Sequence, residues 1–460
     1  MKRIGVEIRS WFWNTKEAAR KFYSWLAVFL GLIFLILTVD KFNFLWIILL
    51  FFLIFFLIIL SEFKKILIFM FLAGIFLIIY WLMTPKIDNQ AINFEAKVVD
   101  KVSFGNFVEY KSNKIFIRGQ NQEIGTNLWI SGVLSRPRNQ SDFDLVTYLK
   151  SKGSLLVLDN PKVNVLETSK NIFTKIRNFF KTDGRYSKQL IPMIFLAETP
   201  PEANDFRKWL VNLGVYQIFV ISGFHINLFK KAIFVVSKAF KIKHFIYKPL
   251  FFAFLLFQLF LFNFAVSFLR GFIFWSLIEI NKLFLNKKLN KIELLSISGI
   301  VILSTNPLIF YSIGFVLTFT ISFVILIINQ ISFSKKWHKF IVQFLFINFF
   351  SAAFSAFLNS QYNFIAPLNV ALFTPFFTLL YTSLFIFIFN PIIIEWICKS
   401  FIQTVEYIND FQFLTWNIRP SLSFLLFSCI ISLICFLSLE VTITLSRKKF
   451  QQSQNLKILK

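Results

Sequence analysis

The chain has 460 residues, of which 57% are hydrophobic and 19% aromatic, and its mean hydropathy is +0.67. These values lie far from those of soluble domains and exclude a water-soluble globular protein. The 49 Lys and Arg residues outnumber the 23 Asp and Glu residues, which gives a net charge of +26. Such an excess suits cytoplasmic loops beside anionic lipid headgroups, or the path of a polyanion such as nucleic acid. Charge alone favours the lipid interpretation.

The composition also excludes several kinds of site. The three Cys residues all lie in apolar C-terminal segments, so the polar stretches contain neither a disulfide framework nor a Cys-x-x-Cys metal site. The three His residues, His225, His244 and His338, are scattered singly, which excludes a metallohydrolase built on clustered His and Asp ligands. We therefore expect no cofactor and no metal site in this chain.

Residues 1–85 predict an N-terminal transmembrane segment of about three helices. The stretch from Met1 to Lys21 is basic, and Trp and Tyr residues cluster near the first apolar run, which indicates a cytoplasmic start. The long polar lead-in and the apolar segments that follow argue against a cleavable signal peptide. The predicted spans are residues 24–39, 42–60 and 66–83. Three crossings would deliver the chain to the outer face of the membrane.

Residues 86–168 predict a small extracytoplasmic all-β domain. Apolar and polar residues alternate in short runs, as in Lys114 to Arg118, and Gly, Asn and Ser separate the runs. We count roughly five strands with a helical insert at Asp142 to Ser151, which suits an OB-like barrel, a fold that holds single strands or oligosaccharides. The 11 Lys and Arg residues and 9 Asp and Glu residues between Lys86 and Glu167 give a net charge of only +2. Charge therefore does not support strong nucleic-acid binding by this domain alone.

Residues 169–190 predict an amphipathic helix that lies on the membrane surface, with Ile and Phe residues on one face and Lys175 and Arg177 on the basic face. Apolar segments then resume, and residues 191–446 predict about seven to nine further spans. Residues 447–460 are a basic tail that we expect in the cytoplasm. The predicted fold class is thus a polytopic α-helical membrane protein with an extracytoplasmic all-β OB-like domain.

One segment combines polar residues with an apolar stretch. Ser222, Gly223, His225 and Asn227 lie where unpaired polar groups are costly and usually face a protein interior or water. On a helix, Ser222 and His225 share a face, so a Ser activated by a neighbouring base is one interpretation. No acidic residue nearby would orient the imidazole, however, and the Gly-x-Ser-Gly pattern of intramembrane serine proteases is absent. Hydrogen bonding between helices or the lining of a pore is the interpretation that we favour.

This segment resembles one in the ComEC-type DNA-uptake channels of natural competence. Those proteins carry Gly-Leu-x-His-Leu-Leu-Ala-Ile-Ser-Gly-Leu-His, which residues 214–225 match in register, most clearly from Ile221 to His225. Four further motifs follow the family's order. They are Phe143-Asp144 with Tyr148-Leu149 and Gly153; Arg270-Gly271; Asn306-Pro307 followed by Gly314-Phe315; and Pro367-Leu368-Asn369 with Pro375.

The sequence departs from the family pattern at several positions. Gln217 stands where the family has His, so a role for that histidine is not carried over, although an amide also forms hydrogen bonds. Gly271, Val316 and Thr318 replace Ala, Gln and Ser of the family pattern. Many family members end in a metallo-β-lactamase-like domain that is absent from this chain. We therefore expect any nuclease to be a separate polypeptide.

The resemblance implies a channel that carries single-stranded DNA into the cytoplasm, formed by a competence-type transmembrane domain at residues 191–446. It implies a transporter in the cytoplasmic membrane rather than an enzyme. The implied partners are single-stranded DNA, membrane lipids, an external DNA receptor, a cytoplasmic helicase or translocase, and a separate nuclease. Two alternatives remain open. One is a nuclease-less relative that acts as an assembly scaffold or transports another polyanion, and the other is a membrane-embedded hydrolase.

Two sets of residues follow from these motifs. The candidates for the DNA path or pore are Arg270, Ser222, His225, Asn227, Gln217 and Asn369. The residues with an expected structural role are Gly214, Gly223, Pro307, Gly314, Phe315 and Pro375. Arg270 is the strongest candidate because a guanidinium at mid-bilayer costs about 3 kcal/mol or more unless it faces water, a charged partner or a phosphate.

Overall fold

The structure is a computed structural model. It describes residues 24–40, 44–59, 63–83, 91–102, 104–110, 113–120, 122–139, 144–158, 161–167, 172–180, 183–216, 223–241, 244–329, 337–347, 361–363, 365–410 and 415–417. Among these residues, those of 1–204, 220–316 and 387–398 form one compact unit, and those of 205–219, 317–386 and 399–460 form a second.

The first unit begins with three apolar helices. They are α1 (Ser24–Asp40), α2 (Phe44–Ile59) and α3 (Phe63–Met83). Each lies on one of the three spans predicted from hydropathy, where Leu, Ile and Phe runs are uninterrupted.

A six-stranded sheet follows within the described residues. Its strands are β1 (Ala91–Val102), β2 (Gly105–Tyr110), β3 (Asn113–Arg118), β4 (Asn127–Ser135), β5 (Ser154–Leu158) and β6 (Lys162–Glu167), in the order β1-β2-β3-β5-β4-β6. The short helix α4 (Leu145–Ser151) precedes β5.

The sheet closes on itself. β1 pairs with β4 through its first half, from Ala91 to Lys97, and with β2 from Lys97 onward. A bulge between Val98 and Asp100 lets the strand bend from one partner to the other. β3 pairs in parallel with β5, and β5 pairs with β4, so the five strands form a ring. β6 lies outside this ring, on β4. It raises the strand count by one over the sequence prediction.

The interior of the ring is filled by alternate residues of each strand, as period-two patterning requires. The buried core residues are Phe94, Ala96, Val98, Val108, Ile115, Ile117, Leu128, Ile130, Leu134, Leu156 and Leu158.

Helices make up most of the remaining described residues. The structure gives α5 (Ile172–Phe179), α6 (Ser187–Phe195), α7 (Asn204–Asn212), α8 (Gly223–Ala239), α9 (His244–Leu261), α10 (Val266–Leu283), α11 (Lys291–Thr305), α12 (Ile313–Ile328), α13 (Trp337–Ile347), α14 (Ala366–Ile386) and α15 (Pro391–Asp410). Short 3₁₀ turns lie at Pro201–Ala203 and Pro307–Tyr311, and a small hairpin pairs β7 (Gln361–Asn363) with β8 (Thr415–Asn417).

Within the described residues, two helical stretches are long and apolar enough to cross a membrane, Phe63–Met83 and Leu368–Ile386. Other apolar helices among the described residues are shorter. They are Ser24–Asp40, Trp46–Ile59, Ile246–Leu261, Gly314–Ile328 and Trp337–Ile347. The predicted spans after residue 417 and the basic tail at 447–460 lie outside the described residues.

The predicted amphipathic helix at 169–190 is divided into α5 and α6. Phe173, Ile176 and Phe180 pack on a cluster of α9 and α10, as an apolar face should. Arg177, assigned to the basic face, is instead buried, where it pairs with Glu198 and donates to the carbonyl of Leu261. A charge partner far along the chain therefore overrides the local pattern.

Candidate functional site

Helix α10 carries two buried polar side chains in its first turns. Ser267 and Arg270 are three residues apart and share a face, and Arg270 is only 8% exposed. Phe268, between them in sequence, is fully buried in the cluster formed with α9. The apolar packing thus holds a guanidinium where water has little access.

Two of the sequence motifs meet at this turn of α10. A Cβ added to Gly314, near the start of α12, would lie 3.4 Å from the Ser267 hydroxyl, so the glycine permits a close approach of the two helices. Phe315, its neighbour, is buried, with its ring 6.3 Å from that of Phe29 on α1. The Gly-Phe motif therefore lies one helical turn from Arg270.

His225 lies in the first turn of α8 and is fully buried. The next residue, Ile226, belongs to the same apolar cluster as Phe268, which precedes Arg270 by two positions. The two motifs that carry His225 and Arg270 thus pack on one cluster. Asn227 is exposed. Gly223 begins α8, whereas Ser222 and Gln217 lie outside the described residues.

The loop before α10 is held by the β-sheet and by α5. Asn263 and Phe264 adopt left-handed backbone conformations, with φ of 46° and 56°, which are unfavourable for residues with side chains. The Asn263 amide donates to the Val99 carbonyl at 3.1 Å and to the Asp100 carboxylate at 3.2 Å. Together with the Arg177 bond to Leu261, these contacts fix the strained turn from which α10 starts.

Asp100 is the charged centre of this contact. Lys152 lies 3.2 Å and Lys114 3.6 Å from its carboxylate, and the backbone N–H of Lys101 donates at 2.9 Å. Burial alone raises the pKa of the Asp100 carboxyl, but the charges of Lys152 and Lys114 and these hydrogen bonds outweigh burial and hold the pKa below its usual value. The same carboxylate raises the pKa of Lys152. Asp100 and Lys152 are therefore both charged at neutral pH, whereas burial lowers the pKa of Lys114.

A second buried carboxylate, Asp40, ends α1. Its side chain is 4% exposed, and it accepts hydrogen bonds from Lys150 at 2.6 and 2.9 Å, from the Tyr80 hydroxyl at 3.0 Å and from the Tyr311 hydroxyl. Asp40 was not among the predicted site residues. One signal was available, because Asp40 is the only acidic residue between Glu17 and Glu62.

The Asn-Pro motif reaches the same region. Asn306 caps the turn that Pro307 opens, its side-chain oxygen accepting from the Leu308 N–H at 2.9 Å, and Pro307 is buried. Gly153, at φ +77°, lies against it, since an added Cβ would be 3.0 Å from the Asn306 amide nitrogen. Two of the motifs that match the family pattern, one with Gly153 and one with Asn306, are therefore in contact although they are far apart in sequence.

The remaining motif residues lie in the second unit. Gly214 has φ +70°, and an added Cβ would come within 2.3 Å of the Ala366 Cβ. The Asn369 amide donates to the Leu213 carbonyl at 2.9 Å, and the Asn363 amide donates to the Asn212 carbonyl at 2.8 Å. The buried Asn369 side chain thus stabilises the Gly214 turn. Its assignment to the DNA path stays a prediction.

Pro375 lies inside α14 and is exposed. It removes one backbone hydrogen bond of that helix. Among the described residues, no group of three or more His, Cys, Asp or Glu side chains is arranged to hold a metal ion.

A family model described as competence protein matches residues 195–442, more than half of the chain, and this range contains His225, Gly314, Asn369 and Arg270. The resemblance drawn from the motifs is thereby confirmed. No curated protein and no solved structure matches the chain.

Proposed function

Because this chain belongs to the competence protein family, we propose that it conducts single-stranded DNA through the cytoplasmic membrane. Family membership supports a role in DNA uptake during competence. The passage of one strand through a channel formed by residues 191–446 is the more specific step of the proposal.

The proposed topology is polytopic, with both termini in the cytoplasm and residues 86–168 outside. The basic N-terminal stretch and the apolar helices α1 to α3 support three crossings before the β-sheet. The ring β1-β2-β3-β5-β4 with its helix before β5 supports an OB-like assignment for the external domain.

The position of Arg270 is the observation that supports a DNA path through the helices. Arg270 is a cation within an apolar helix, where ionisable residues typically mark the path of an ion or substrate, and a guanidinium binds phosphate oxygens. Ser267, one turn before Arg270, is small, and Gly314 permits the two helices to approach closely at that residue. A few weakly held cationic and hydroxyl contacts suit a strand that must keep moving better than a dense basic ring does.

The proposal assigns no chemical step to the chain. Energy would come from a cytoplasmic helicase or translocase, since the sequence contains no Gly-x-x-x-x-Gly-Lys-Ser/Thr phosphate loop. An external receptor would present the DNA, and a separate nuclease would degrade the strand that is not transported.

The test is the uptake of end-labelled DNA into a nuclease-protected cytoplasmic pool. We expect deletion of the protein to abolish protected label while surface binding persists, and Arg270→Ala to lower it about tenfold, the effect of about 1.4 kcal/mol on the rate-limiting step. Arg270→Lys, which retains a cation, should retain part of the uptake. Lys282→Ala is the matched control because Lys282 lies on the same helix but is exposed, where it pairs with Glu279 at 2.8 Å.

Other results of this experiment would favour other functions. Unchanged uptake in the deletion strain would refute the channel and favour a scaffold or the transport of another polyanion. Normal uptake in Arg270→Ala, with loss in the deletion, would remove Arg270 from the path. If His225→Ala abolished function while DNA binding and assembly were intact, a membrane-embedded hydrolase would gain support.

A further inference from the structure

The outer face of β1, β4 and β6 carries a regular array of polar side chains around one indole ring. On β4, Leu128 and Ile130 point into the ring of strands, so Trp129 between them points outward, and it is 40% exposed. The strand register puts Glu95 of β1 and Asn164 of β6 directly opposite Trp129 on its two sides. These three side chains therefore form a row across three strands.

Two parallel rows flank this one. They consist of Asn93, Ser131 and Lys162 on one side and Lys97, Asn127 and Glu167 on the other. We name these nine residues the Trp129 face. Eight of them are exposed, and Ser131 is half-buried.

The side chains of the Trp129 face are available to a ligand. Among the described residues, the hydrogen bonds, ion pairs and ring contacts involve none of these nine side chains. The sheet's contacts with the helices are made elsewhere, by Lys150, Gly153 and the second half of β1. Within the described residues, a surface with three amides and an indole is therefore uncovered.

The net charge of the Trp129 face indicates which kind of ligand it can bind. Two Lys and two Glu side chains cancel, so the Trp129 face has no net charge. A nucleic-acid strand requires a cationic groove along its phosphates and usually several aromatic rings in succession, and an anionic membrane surface requires a net positive charge. A neutral ligand with one apolar side and many hydroxyls fits better.

We propose that the Trp129 face binds a neutral β-linked glycan strand. The C–H side of a pyranose ring is apolar and stacks flat on an indole, while its equatorial hydroxyls project sideways. Asn amides both donate and accept hydrogen bonds, and Glu95 accepts them, which suits hydroxyl groups on either side of the stacked ring. This site is independent of the DNA path at Arg270 and would tether the external domain to a polysaccharide.

The test uses the full-length protein in nanodiscs, which avoids detergents with sugar headgroups. Fluorescence anisotropy of labelled chitotetraose and cellotetraose measures binding. We expect saturable binding that Trp129→Ala weakens about tenfold, as for the loss of one aromatic stacking contact of about 1.4 kcal/mol. Trp129→Phe should retain part of the affinity. Trp396→Ala, which removes another exposed Trp in α15, is the matched control and should bind as the unaltered protein does.

Salt dependence separates the glycan from a DNA strand. Glycan binding should hardly change between about 50 and 200 mM salt, whereas binding to phosphates falls steeply over that range. The proposal is overturned if neither oligosaccharide binds saturably, or if Trp129→Ala binds them as well as the unaltered protein. It is also overturned if Trp129→Ala weakens the binding of oligo(dT) and leaves that of the glycans unchanged.

Discussion

Asp100 shows how one side chain connects the β-sheet with the helices. Its carboxylate forms ion pairs with Lys152 and Lys114. It also accepts a hydrogen bond from the side-chain amide of Asn263, which lies in the turn before the helix of Arg270. Each contact alone is worth about 1 to 3 kcal/mol when one partner is charged. Together they hold a turn whose backbone is strained, so the position of α10 depends on the charge of this carboxylate.

We predict that this contact weakens in acid. Because the pKa of Asp100 is lowered in the folded protein, its stabilisation is fully present above the unfolded carboxyl pKa of about 3.9 and is lost as the pH falls through the folded value. The thermal unfolding midpoint of the unaltered protein should therefore drop steeply below about pH 4, and that of Asp100→Asn should start lower and drop less.

Asp205→Asn is the matched control for that measurement, because it makes the same change at a carboxyl that is 76% exposed. Its unfolding profile should follow that of the unaltered protein. An identical acid profile for Asp100→Asn and the unaltered protein would show that Asp100 does not hold the contact.

Some site residues were accessible from sequence and others were not. Arg270 and His225 could be identified because a polar group in an apolar run is unusual in itself. Asp100 and Lys152 look like ordinary surface charges in a polar domain, and only the register of β1 and the position of α4 bring them together. Asp40 was visible as an isolated acid, but its three partners lie 40, 110 and 271 residues away.

At the level of elements, the end of α4 contacts one helix and one strand. Lys150 reaches Asp40 at the end of α1, and Lys152 reaches Asp100 on β1. Gly153, at φ +77°, then allows the chain to turn into β5 beside Asn306. The four residues from Lys150 to Gly153 thus form two ion pairs and bring the backbone of Gly153 close to Asn306.

We predict strong coupling between Asp40 and Lys150. Removing one partner leaves the other charge without its ion pair and costs about 1 to 3 kcal/mol, since Asp40 keeps its hydrogen bonds from Tyr80 and Tyr311. Asp40→Asn and Lys150→Gln should each lower stability, and the double variant should cost clearly less than the sum of the two. Chemical unfolding of the four proteins measures this double-mutant cycle.

The exposed pair Lys208 and Asp205 provides the control cycle, since both side chains are about three-quarters exposed and should show no measurable coupling. Additive effects at Asp40 and Lys150 would contradict the buried-pair interpretation.

The helices and strands with the most regular pattern of apolar residues were the ones that the sequence predicted. The helices α1 to α3 follow from uninterrupted apolar runs, and β1, β3 and β4 follow from alternation. Strand β6 was missed because its alternation is short, since Leu166 breaks the pattern that runs from Lys162 to Val165 at the register shift between Asn127 and Leu128. The division of 169–190 into α5 and α6 depends on partners such as Glu198, which no local pattern reveals.

For the whole molecule, we predict that residues 86–168 face the outside of the cell. In a background without Cys398, Cys429 and Cys435, a Lys162→Cys variant should react in intact cells with a maleimide that does not cross membranes. A Lys16→Cys variant in the predicted cytoplasmic N-terminus should react only after permeabilisation. Protection of Lys162→Cys in intact cells would refute the proposed orientation.

The ring of strands also fixes an order of events during synthesis. β3 pairs with β5 across an interval that includes β4 and α4, so the ring remains open until the ribosome has supplied residues up to Leu158. Such non-local pairing is slow, because chain entropy is lost before the contacts form. Lys150 and Lys152 belong to this last stretch. Closure of the ring and the contact of Lys150 with Asp40 therefore both wait for this last stretch of the chain.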